Sequence, residues 1–407
     1  VAVSLTPHAT TSVVPLFTHW PRLRRLQLER AFLASAPRSV NATWLREQFA
    51  DYEVRRDYWT DLFATYRVKI YVSHNKSDGV PCVIADALQQ VGGMSVLYQR
   101  SYETHPSAET AISADDAFGF SKLSAEIERQ SGSQIRYHVT TGYLGDHRFA
   151  LLRQQAAQVR QALTQHGATK ILAFFDENSL DDARWQTGHE FMQQNYAFLL
   201  ERLLAEPWLG LVLKPKAPYN LRRRLGPVAR LLRQAEATGR CFVYETGALQ
   251  GLYPPAAAAL ASDLAIHGHL WAVTAGLEST LAGVPTLFLD REGWHVSPLY
   301  RLGVGRVVFT EWSSLWKACV EHWMRPGGTP GFGDCSAVLD QFDPFRDGQA
   351  ARRMGTYIQW MLEGFNAGLD RETIMADAAQ RYGARWGRDK VMAEIPAGEA
   401  AEVMVGA

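Results

Sequence analysis

Short apolar runs alternate with longer amphipathic stretches along most of the chain, and this alternation predicts strands separated by helices. Strands that alternate with helices favour a parallel sheet and so an α/β fold. Two polar residues, Asp115 and Asp116, come just before a further short apolar run at residues 118–120. The main predicted strands comprise residues 68–73, 94–98, 135–140, 170–175, 209–213, 241–244, 264–266, 286–289 and 305–309.

The strand and helix units fall into two arrays, which are divided near residues 166–170. A chain of 407 residues is also long for one ordinary domain. We therefore predict an N-terminal lobe over residues 1–167 and a C-terminal lobe over residues 168–342. Helices over residues 343–390 follow, and we expect the Ala-, Glu- and Gly-rich tail over residues 391–407 to be disordered.

Composition narrows the class of protein. The chain contains 42 Lys and Arg residues and 42 Asp and Glu residues, so its formal net charge is zero, which argues against a general nucleic-acid binder. Its four cysteines are scattered without zinc-type spacing, which favours a reduced, cytoplasmic protein. No apolar run has the length of a membrane span. The missing initiator Met suggests that the chain is part of a larger polypeptide.

Residues 260–290 show the strongest functional pattern, which predicts a strand, a loop, a helix and a second strand. Thr274 stands at the expected N-cap of the helix, and the small residues Ala275 and Gly276 follow it. The free backbone N–H groups and the dipole of such a helix start favour an anion. Glu278 lies in the first turns of the same helix. The stretch is a candidate anion site, although an ordinary helix start would show the same pattern.

Two tandem Rossmann-like lobes followed by helices resemble the GT-B architecture of nucleotide-sugar glycosyltransferases. The local match is TAGLE at residues 274–278 with the AGVP turn at 282–285. The KPK sequence at 214–216 resembles a segment of bacterial surface-polymer transferases, and DPFRDG at 343–348 resembles capsule and lipopolysaccharide biosynthesis proteins. The resemblance implies an α/β fold whose two parallel sheets face an interlobe cleft, with C-terminal helices that cross back to the first lobe.

The resemblance also assigns residues to a nucleotide-sugar donor. It implies that the helix glutamate binds the ribose hydroxyls, that the helix start holds the phosphate, and that two lysines neutralise the leaving phosphate without a metal. Two histidines of the preceding loop would hydrogen-bond the phosphate or the sugar. Each group also has a structural interpretation, as a solvated lysine, a core histidine or a plain helix start. The ribose residue is Glu278, the phosphate amides are those of Thr274, Ala275, Gly276 and Leu277, the lysines are Lys214 and Lys216, and the histidines are His267 and His269. Ser279 is also counted as donor-binding, without a separate role.

An inverting transfer also needs a base that takes the proton of the acceptor hydroxyl. Polar residues that follow predicted strands are the candidates, because parallel sheets bind ligands at the carboxyl ends of their strands. The first lobe, which the resemblance makes the acceptor side, offers His74, Asp78 and Asp146, of which we favour His74 or Asp78. Asp176 and Glu177 in the second lobe would then face the donor sugar. Loop capping is the alternative for each residue, and a retaining transfer would need no such base.

The resemblance implies a metal-independent glycosyltransferase without a cofactor, which moves a sugar from a nucleotide-sugar to a glycan or lipid-linked acceptor in bacterial surface polysaccharide synthesis. A cytoplasmic location, with peripheral association at the inner face of the membrane, would follow. A polymer glycerophosphotransferase, a UDP-sugar epimerase-like enzyme and a non-catalytic module of a larger synthase stay open as alternatives. Trp294 is a candidate for contact with the base or the sugar, and Arg346 and Asp347 are candidates to brace the interlobe hinge or to pair with each other at a helix start.

Overall fold

The described part of the chain covers both arrays and the C-terminal helices. Two sequence predictions lie outside it, namely Asp78 as a candidate base and the tail beyond residue 393. The residues that the computed structural model describes are 40–76, 79–103, 105–181, 187–245 and 253–393.

Within these residues the strands form two sheets. The second sheet is almost fully buried because helices cover both of its faces, which explains the unbroken apolar sequences of its strands. The first sheet contains β1 (Ile70–Ser73), β2 (Met94–Tyr98), β3 (Ser113–Gly119), β4 (Gln134–Thr140) and β11 (Val391–Ala393). The second sheet contains β5 (Lys170–Phe175), β6 (Leu209–Lys214), β7 (Cys241–Val243), β8 (Leu264–His267), β9 (Thr286–Leu289) and β10 (Val308–Phe309).

Helices connect most strands and form the C-terminal segment. None of the described helices combines the length and the apolar character that a membrane crossing requires. The helices are α1 (Val40–Tyr66), α2 (Val80–Gln90), α3 (Lys122–Gln130), α4 (Phe149–Gln165), α5 (His189–Ala205), α6 (Leu221–Leu225), α7 (Ala229–Ala237), α8 (Pro255–Ala259), α9 (Thr274–Leu281), α10 (Trp312–Met324), α11 (Ser336–Phe342), α12 (Ala350–Asn366) and α13 (Arg371–Trp386).

The strand order differs between the two sheets. In the first sheet β1 to β4 lie side by side in chain order and are parallel. The strand β11 pairs antiparallel with β4 at the edge. It comprises the first three residues of the tail for which we expected disorder, and this backbone pairing explains why they are ordered.

The second sheet has the order β7-β6-β5-β8-β9-β10, and all of its strands are parallel. The chain runs outward from β5 to β7, returns to place β8 beside β5, and runs outward again to β10. This doubly wound order has a switch point between β5 and β8, and ligands of such sheets bind outside the carboxyl ends of the strands at that point.

Helix α4 packs with the second lobe, although it precedes the boundary that the sequence suggests at residue 167. Its residues Val159 and Leu163 share a buried cluster with Ile171 of β5. The Nη2 atom of Arg160 lies 2.6 Å from Oδ1 of Asp263, just before β8. By these contacts the passage from the first lobe to the second lies between β4 and α4.

Helices α12 and α13 cross back to the first lobe, as expected from the resemblance. Their residues Tyr357 and Tyr382 pack in one buried cluster with Met94 and Val139 of the first sheet. The hydroxyl of Tyr382 donates a hydrogen bond to the carbonyl oxygen of Thr140 at 2.6 Å. The C-terminal segment is therefore part of the first lobe's core.

Asp115 and Asp116 lie inside β3, so the expectation that they precede a strand is wrong. The carboxylate of Asp115 accepts a hydrogen bond from the backbone N–H of Ser95 at 2.8 Å. The carboxyl of Asp116 accepts one from the hydroxyl of Tyr357 at 2.7 Å. A buried carboxyl group is tolerated in a strand when such partners replace water.

Candidate active site

The switch point of the second sheet is lined by polar side chains from both of its central strands. Glu177 follows the end of β5, and His269 follows the end of β8. The Nε2 atom of His269 lies 3.2 Å from Oε2 of Glu177, and the ammonium group of Lys216 also binds that carboxylate. Residues predicted from three separate strand ends therefore meet at one point.

Glu177 is negatively charged in this cluster. Its burial alone would raise its pKa, but the hydrogen bond and charge of His269 and the charge of Lys216 outweigh burial and hold the pKa of Glu177 well below its usual range. Because the carboxylate engages Nε2 of His269, it fixes the orientation of the imidazole and leaves Nδ1 for another partner. That Nδ1 atom is buried and has no hydrogen-bond partner among the described residues.

His267 is a neutral, internally bonded histidine. Its Nε2 atom lies 3.1 Å from the carbonyl oxygen of Ala272. Burial, followed by the charge of His269, lowers the pKa of His267 well below its usual range. Its Nδ1 atom is also buried without a partner in the described structure, and its ring centroid lies 4.4 Å from that of His269. Two neighbouring imidazoles thus each keep one nitrogen unpaired at the switch point.

Asp176 supports the loop after β6. Its Oδ1 atom accepts a hydrogen bond from the backbone N–H of Lys216 at 2.6 Å, and its Oδ2 atom accepts one from the hydroxyl of Tyr196 at 3.0 Å. The guanidinium group of Arg224, only 2% exposed, lies 3.4 Å from Oδ2. Burial raises the pKa of Asp176, and Arg224 opposes that rise. Both carboxylate oxygens are engaged by the protein, so Asp176 is placed to fix Lys216.

Arg224 is a residue that the sequence analysis did not select. Besides Asp176, it donates hydrogen bonds to the side chain of Asn220 at 2.9 Å, to Ser179 Oγ at 3.2 Å and to the carbonyl oxygen of Ala217 at 3.2 Å. Its basic neighbours in the sequence make it look like part of a solvated helix face. The buried arginine instead joins the loops that follow β5 and β6 beneath the site.

Lys214 is half-buried at the end of β6, and its Nζ atom donates to the carbonyl oxygen of Pro215 at 3.1 Å. Burial lowers the pKa of Lys214, and the charges of Asp176 and Glu278 offset part of that effect. Lys214 is therefore a half-buried cation at the carboxyl end of β6, the strand beside β5, within the electrostatic influence of Asp176 and Glu278.

Helix α9 begins at Thr274, and Val273 occupies the cap position, so the expected N-cap role of Thr274 is wrong. The first bond inside the helix runs from the N–H of Leu277 to the carbonyl oxygen of Val273, which leaves the preceding amides available for a ligand. The hydroxyl of Thr274 accepts a hydrogen bond from the backbone N–H of Tyr102 in the first lobe at 2.8 Å. The hydroxyl of Ser279 donates back to Ala275 at 2.8 Å.

Gly276 allows α9 to approach the sheet closely. A Cβ atom at this position would lie 2.4 Å from Cε1 of Phe288 and 3.1 Å from Cβ of His267. Any larger residue would push the helix away from β8 and β9. The glycine therefore sets the position of the helix start relative to the switch point.

Glu278 is 2% exposed and has two protein partners. Its Oε1 atom accepts a hydrogen bond from the backbone N–H of Ala256 at 2.8 Å, and its Oε2 atom accepts one from the hydroxyl of Tyr143. Burial raises the pKa of Glu278. Tyr143 belongs to the loop after β4, so this carboxylate is bound across the two lobes.

The first-lobe candidates occupy different places. His74 is exposed after β1, the outermost strand of its sheet, and its Nδ1 atom lies 3.3 Å from the hydroxyl of Tyr98. Burial, followed by the charge of Arg100, lowers the pKa of His74. Asp146 accepts a hydrogen bond from the backbone N–H of Gly348 at 2.8 Å, and its other oxygen is buried without a partner among the described residues. Burial raises the pKa of Asp146.

The hinge segment binds the loop after β4. Asp343 accepts a hydrogen bond from the backbone N–H of Tyr143 at 3.0 Å. Arg353 donates to the carbonyl oxygen of Thr141 at 3.0 Å and pairs with Asp347, so these bonds join the C-terminal segment to the first lobe, and a hinge role of Asp347 stays a prediction. Arg346 pairs with Asp340 at 2.5 Å, so Arg346 and Asp347 do not pair with each other.

Trp294 lies in an aromatic cluster between the two lobes. Its ring centroid is 4.8 Å from that of Trp271, which follows β8, and 5.0 Å from that of His105 in the first lobe. The His105 and Trp271 rings are 4.7 Å apart. All three side chains are half-buried.

No protein-family model and no curated protein sequence matches the chain. Among solved structures, it is similar to S. aureus MnaA in a co-structure with UDP, at 12% identity and a TM-score of 0.50, over 77% of this chain and 81% of that one. It also matches HepE of Anabaena in complex with UDP and glucose, at 13% identity and a TM-score of 0.46, over 74% and 81%. The wall teichoic acid polymerase TagF matches at 11% identity and a TM-score of 0.43, over 77% and 74%. The shared feature is the fold, an α/β architecture of GT-B type with two Rossmann-like lobes.

Proposed function

We propose that the protein is a metal-independent glycosyltransferase that moves a sugar from a nucleotide-sugar donor to a glycan or lipid-linked acceptor in bacterial surface polysaccharide synthesis. One observation supports this function above the others. The start of α9 packs against His267 at the end of β8, and Lys216 and His269 bind Glu177 at the same switch point of a doubly wound sheet, where such folds bind nucleotides.

The donor fits this site by charge and by hydrogen bonding. The phosphate groups meet the free amides at the start of α9, and Lys214 supplies a positive charge on the same side. Glu278, further along the same helix, accepts hydrogen bonds from the ribose hydroxyls. His269, which Glu177 orients, presents its unpaired Nδ1 to the donor.

In the reaction, an oxygen of the acceptor forms a bond to the anomeric carbon, and the bond from that carbon to the phosphate oxygen breaks. Negative charge develops on the leaving phosphate, and the helix start and Lys214 stabilise it without a metal. In an inverting transfer, Asp146 becomes the first choice for the base. Its loop meets the second lobe through Tyr143, one of its carboxyl oxygens has no partner in the described structure, and burial raises its pKa above the usual value of an aspartate. His74, in contrast, lies at the far edge of the first sheet.

A thermal-shift panel of UDP, GDP, CDP and CMP tests donor binding, because a ligand that binds only the folded state raises the melting temperature. UDP is the first probe, since the similar structure of MnaA holds UDP. We expect a shift for at least one nucleotide, with and without EDTA. Lys214→Ala should abolish the shift, and Lys170→Ala should keep it, because Lys170 begins β5 at the opposite edge of the same sheet.

Three results would contradict the proposal or redirect it. No shift with any nucleotide would favour a non-catalytic module, and equal loss in both lysine variants would refute the site. A shift that EDTA removes would refute metal independence. Product analysis separates the remaining classes: turnover of a CDP-alditol indicates a glycerophosphotransferase, and isomerisation of a UDP-sugar without an acceptor indicates an epimerase.

A further inference from the structure

The first lobe covers the donor end of the second lobe at several points. The backbone N–H of Tyr102 donates to the hydroxyl of Thr274 at 2.8 Å, and Glu103 forms an antiparallel β-bridge with Ala272. The ring of His105 packs on the rings of Trp271 and Trp294 in the second lobe. Through these contacts, the first-lobe segment that follows β2 packs on the loop and helix start where the phosphate of the donor is expected.

The contact between Tyr143 and Glu278 is of a different kind, because it satisfies a charge. A buried carboxylate needs hydrogen-bond donors in place of water. The N–H of Ala256 supplies one donor to Glu278, and the hydroxyl of Tyr143 supplies the other. The positive groups that act on this carboxylate are Arg148 and Lys214. Without the hydroxyl of Tyr143, one oxygen of Glu278 would lose its partner in the closed protein.

We propose that Tyr143 occupies, through its hydroxyl, the place of a ribose hydroxyl on Glu278, and that a ribonucleotide opens the donor site by exchanging its own hydroxyl for that of Tyr143. The inference rests on the proposed function, in which Glu278 binds ribose. It adds Tyr143 to the residues that set the affinity for the donor. It also requires that the donor carry a sugar hydroxyl in order to bind stably.

Two consequences follow, and they can be measured separately. A nucleotide without ribose hydroxyls leaves the carboxylate of Glu278 without a replacement donor, so it should bind more weakly than the ribonucleotide. A protein in which Tyr143 no longer holds Glu278 should spend more time in the open form. Its apparent affinity should therefore rise for every nucleotide by the same factor, because affinity scales with the population of the competent state.

Isothermal titration calorimetry with UDP and with 2′,3′-dideoxy-UDP tests both consequences. We expect the unmodified protein to bind UDP at least about tenfold more tightly than the dideoxy compound. Tyr143→Phe keeps the aromatic ring in its cluster and should bind both compounds about tenfold more tightly than the unmodified protein, with their ratio unchanged. Tyr382→Phe is the matched control, because it removes a buried hydroxyl that donates to Thr140 inside the first lobe, and it should leave both affinities unchanged.

Hydrogen exchange without any ligand tests the lobe contact itself. Peptides that cover residues 272–278 should exchange faster in Tyr143→Phe than in the unmodified protein and in Tyr382→Phe. Unchanged or weaker UDP binding in Tyr143→Phe, or the same gain in Tyr382→Phe, overturns the proposal that a ribose hydroxyl replaces the hydroxyl of Tyr143 on Glu278. Equal binding of UDP and the dideoxy compound refutes the ribose contact of Glu278. Faster exchange in Tyr143→Phe with no nucleotide binding in any variant refutes the proposed function and leaves Tyr143 as a clamp between lobes.

Discussion

The buried carboxyl of Asp116 makes the stability of the first lobe depend on pH. Asp116 lies on β3 beneath α12 and is 0% exposed. One of its carboxyl oxygens accepts a hydrogen bond from the hydroxyl of Tyr357, and the other has no partner among the described residues. Burial raises the pKa of Asp116 to about 8. The hydrogen bond from Tyr357 and the charge of Arg371 oppose the rise, and the charge of Asp115 adds to it. The folded protein therefore holds a proton that the unfolded chain loses near pH 3.8.

The sign and size of the effect follow from these two pKa values. Because the folded form binds the extra proton, the stability from this group is complete below about pH 3.8 and is lost as the pH rises through about 8. Each pH unit between these two values lowers the free energy of unfolding by about 1.4 kcal/mol. From pH 6 to pH 8 the loss is about 2 kcal/mol, since the folded group is already half ionised at pH 8.

Urea unfolding of the unmodified protein and of Asp116→Asn at pH 6 and pH 8 measures this loss. Asparagine stays neutral at both pH values and keeps an oxygen that can accept the hydroxyl of Tyr357. We expect Asp116→Asn to be more stable than the unmodified protein at both pH values. Its advantage in the free energy of unfolding should be about 2 kcal/mol larger at pH 8 than at pH 6. Groups that titrate in both proteins cancel in this difference.

Asp51→Asn is the control, because Asp51 is 46% exposed in a surface pair with Arg55. Its difference from the unmodified protein should not change between the two pH values. If the advantage of Asp116→Asn is also the same at pH 6 and pH 8, then Asp116 is ionised in the folded protein. In that case Arg371, on α13, would be the group that stabilises the charge.

Three further outcomes follow from the site. Glu177→Gln removes the charge that orients the neighbouring histidine, so we expect turnover in a sugar-transfer assay to fall roughly 100-fold while calorimetry shows a UDP affinity within about threefold. Gly276→Ala forces α9 away from the sheet and should lower both the melting temperature and UDP affinity, whereas Gly283→Ala meets open space and should cost only about 1 kcal/mol of backbone strain in the same melts. Arg224→Met leaves the buried Asp176 without its guanidinium partner, and denaturant titration should show a loss of about 3 to 5 kcal/mol that Asp176→Asn in the same chain partly restores.

Local pattern predicts a strand well when helices cover both faces of it. The predicted strands at residues 94–98, 170–175 and 286–289 have the bounds of β2, β5 and β9, because most side chains in such a strand contribute to the apolar signal. The pattern fails at β3, where Asp115 and Asp116 interrupt the apolar run. Their partners Arg371 and Tyr357 are 256 and 241 residues away in the sequence, so no local window contains the reason why these carboxyls can be buried.

The sequence analysis also missed α3 and β11, for a related reason. Helix α3 has only 9 residues, and its buried face includes Ser124 and Glu128 beside Ala125 and Ile127, so it is not an apolar stripe. The strand β11 has only three residues and exists through its pairing with β4. Both depend on what they pack against, and that information does not reside in the segment itself.

The candidate site likewise contains some residues that the sequence could place and others that it could not. Glu177, His269 and Lys216 could be placed together from the sequence, because the carboxyl ends of parallel strands share one edge of a sheet. Arg224 could not, since a buried arginine and a solvated one look the same in a basic helix. The contacts between lobes could not either: Tyr143 reaches Glu278 over 135 residues, and Tyr102 reaches Thr274 over 172.

Those interlobe contacts change how the helix start should be interpreted. By itself, α9 has free amides and a glutamate, and it would be expected to bind a nucleotide as soon as one is present. In the folded chain, the first lobe already bonds to Thr274 and Glu278. If Glu278 binds ribose as proposed, a nucleotide must replace the bond from Tyr143 as well as form its own, and its affinity is the difference between two sets of hydrogen bonds to the same carboxylate. Under that proposal the side chains that compete for the site, and not only those that form it, decide how tightly a donor binds.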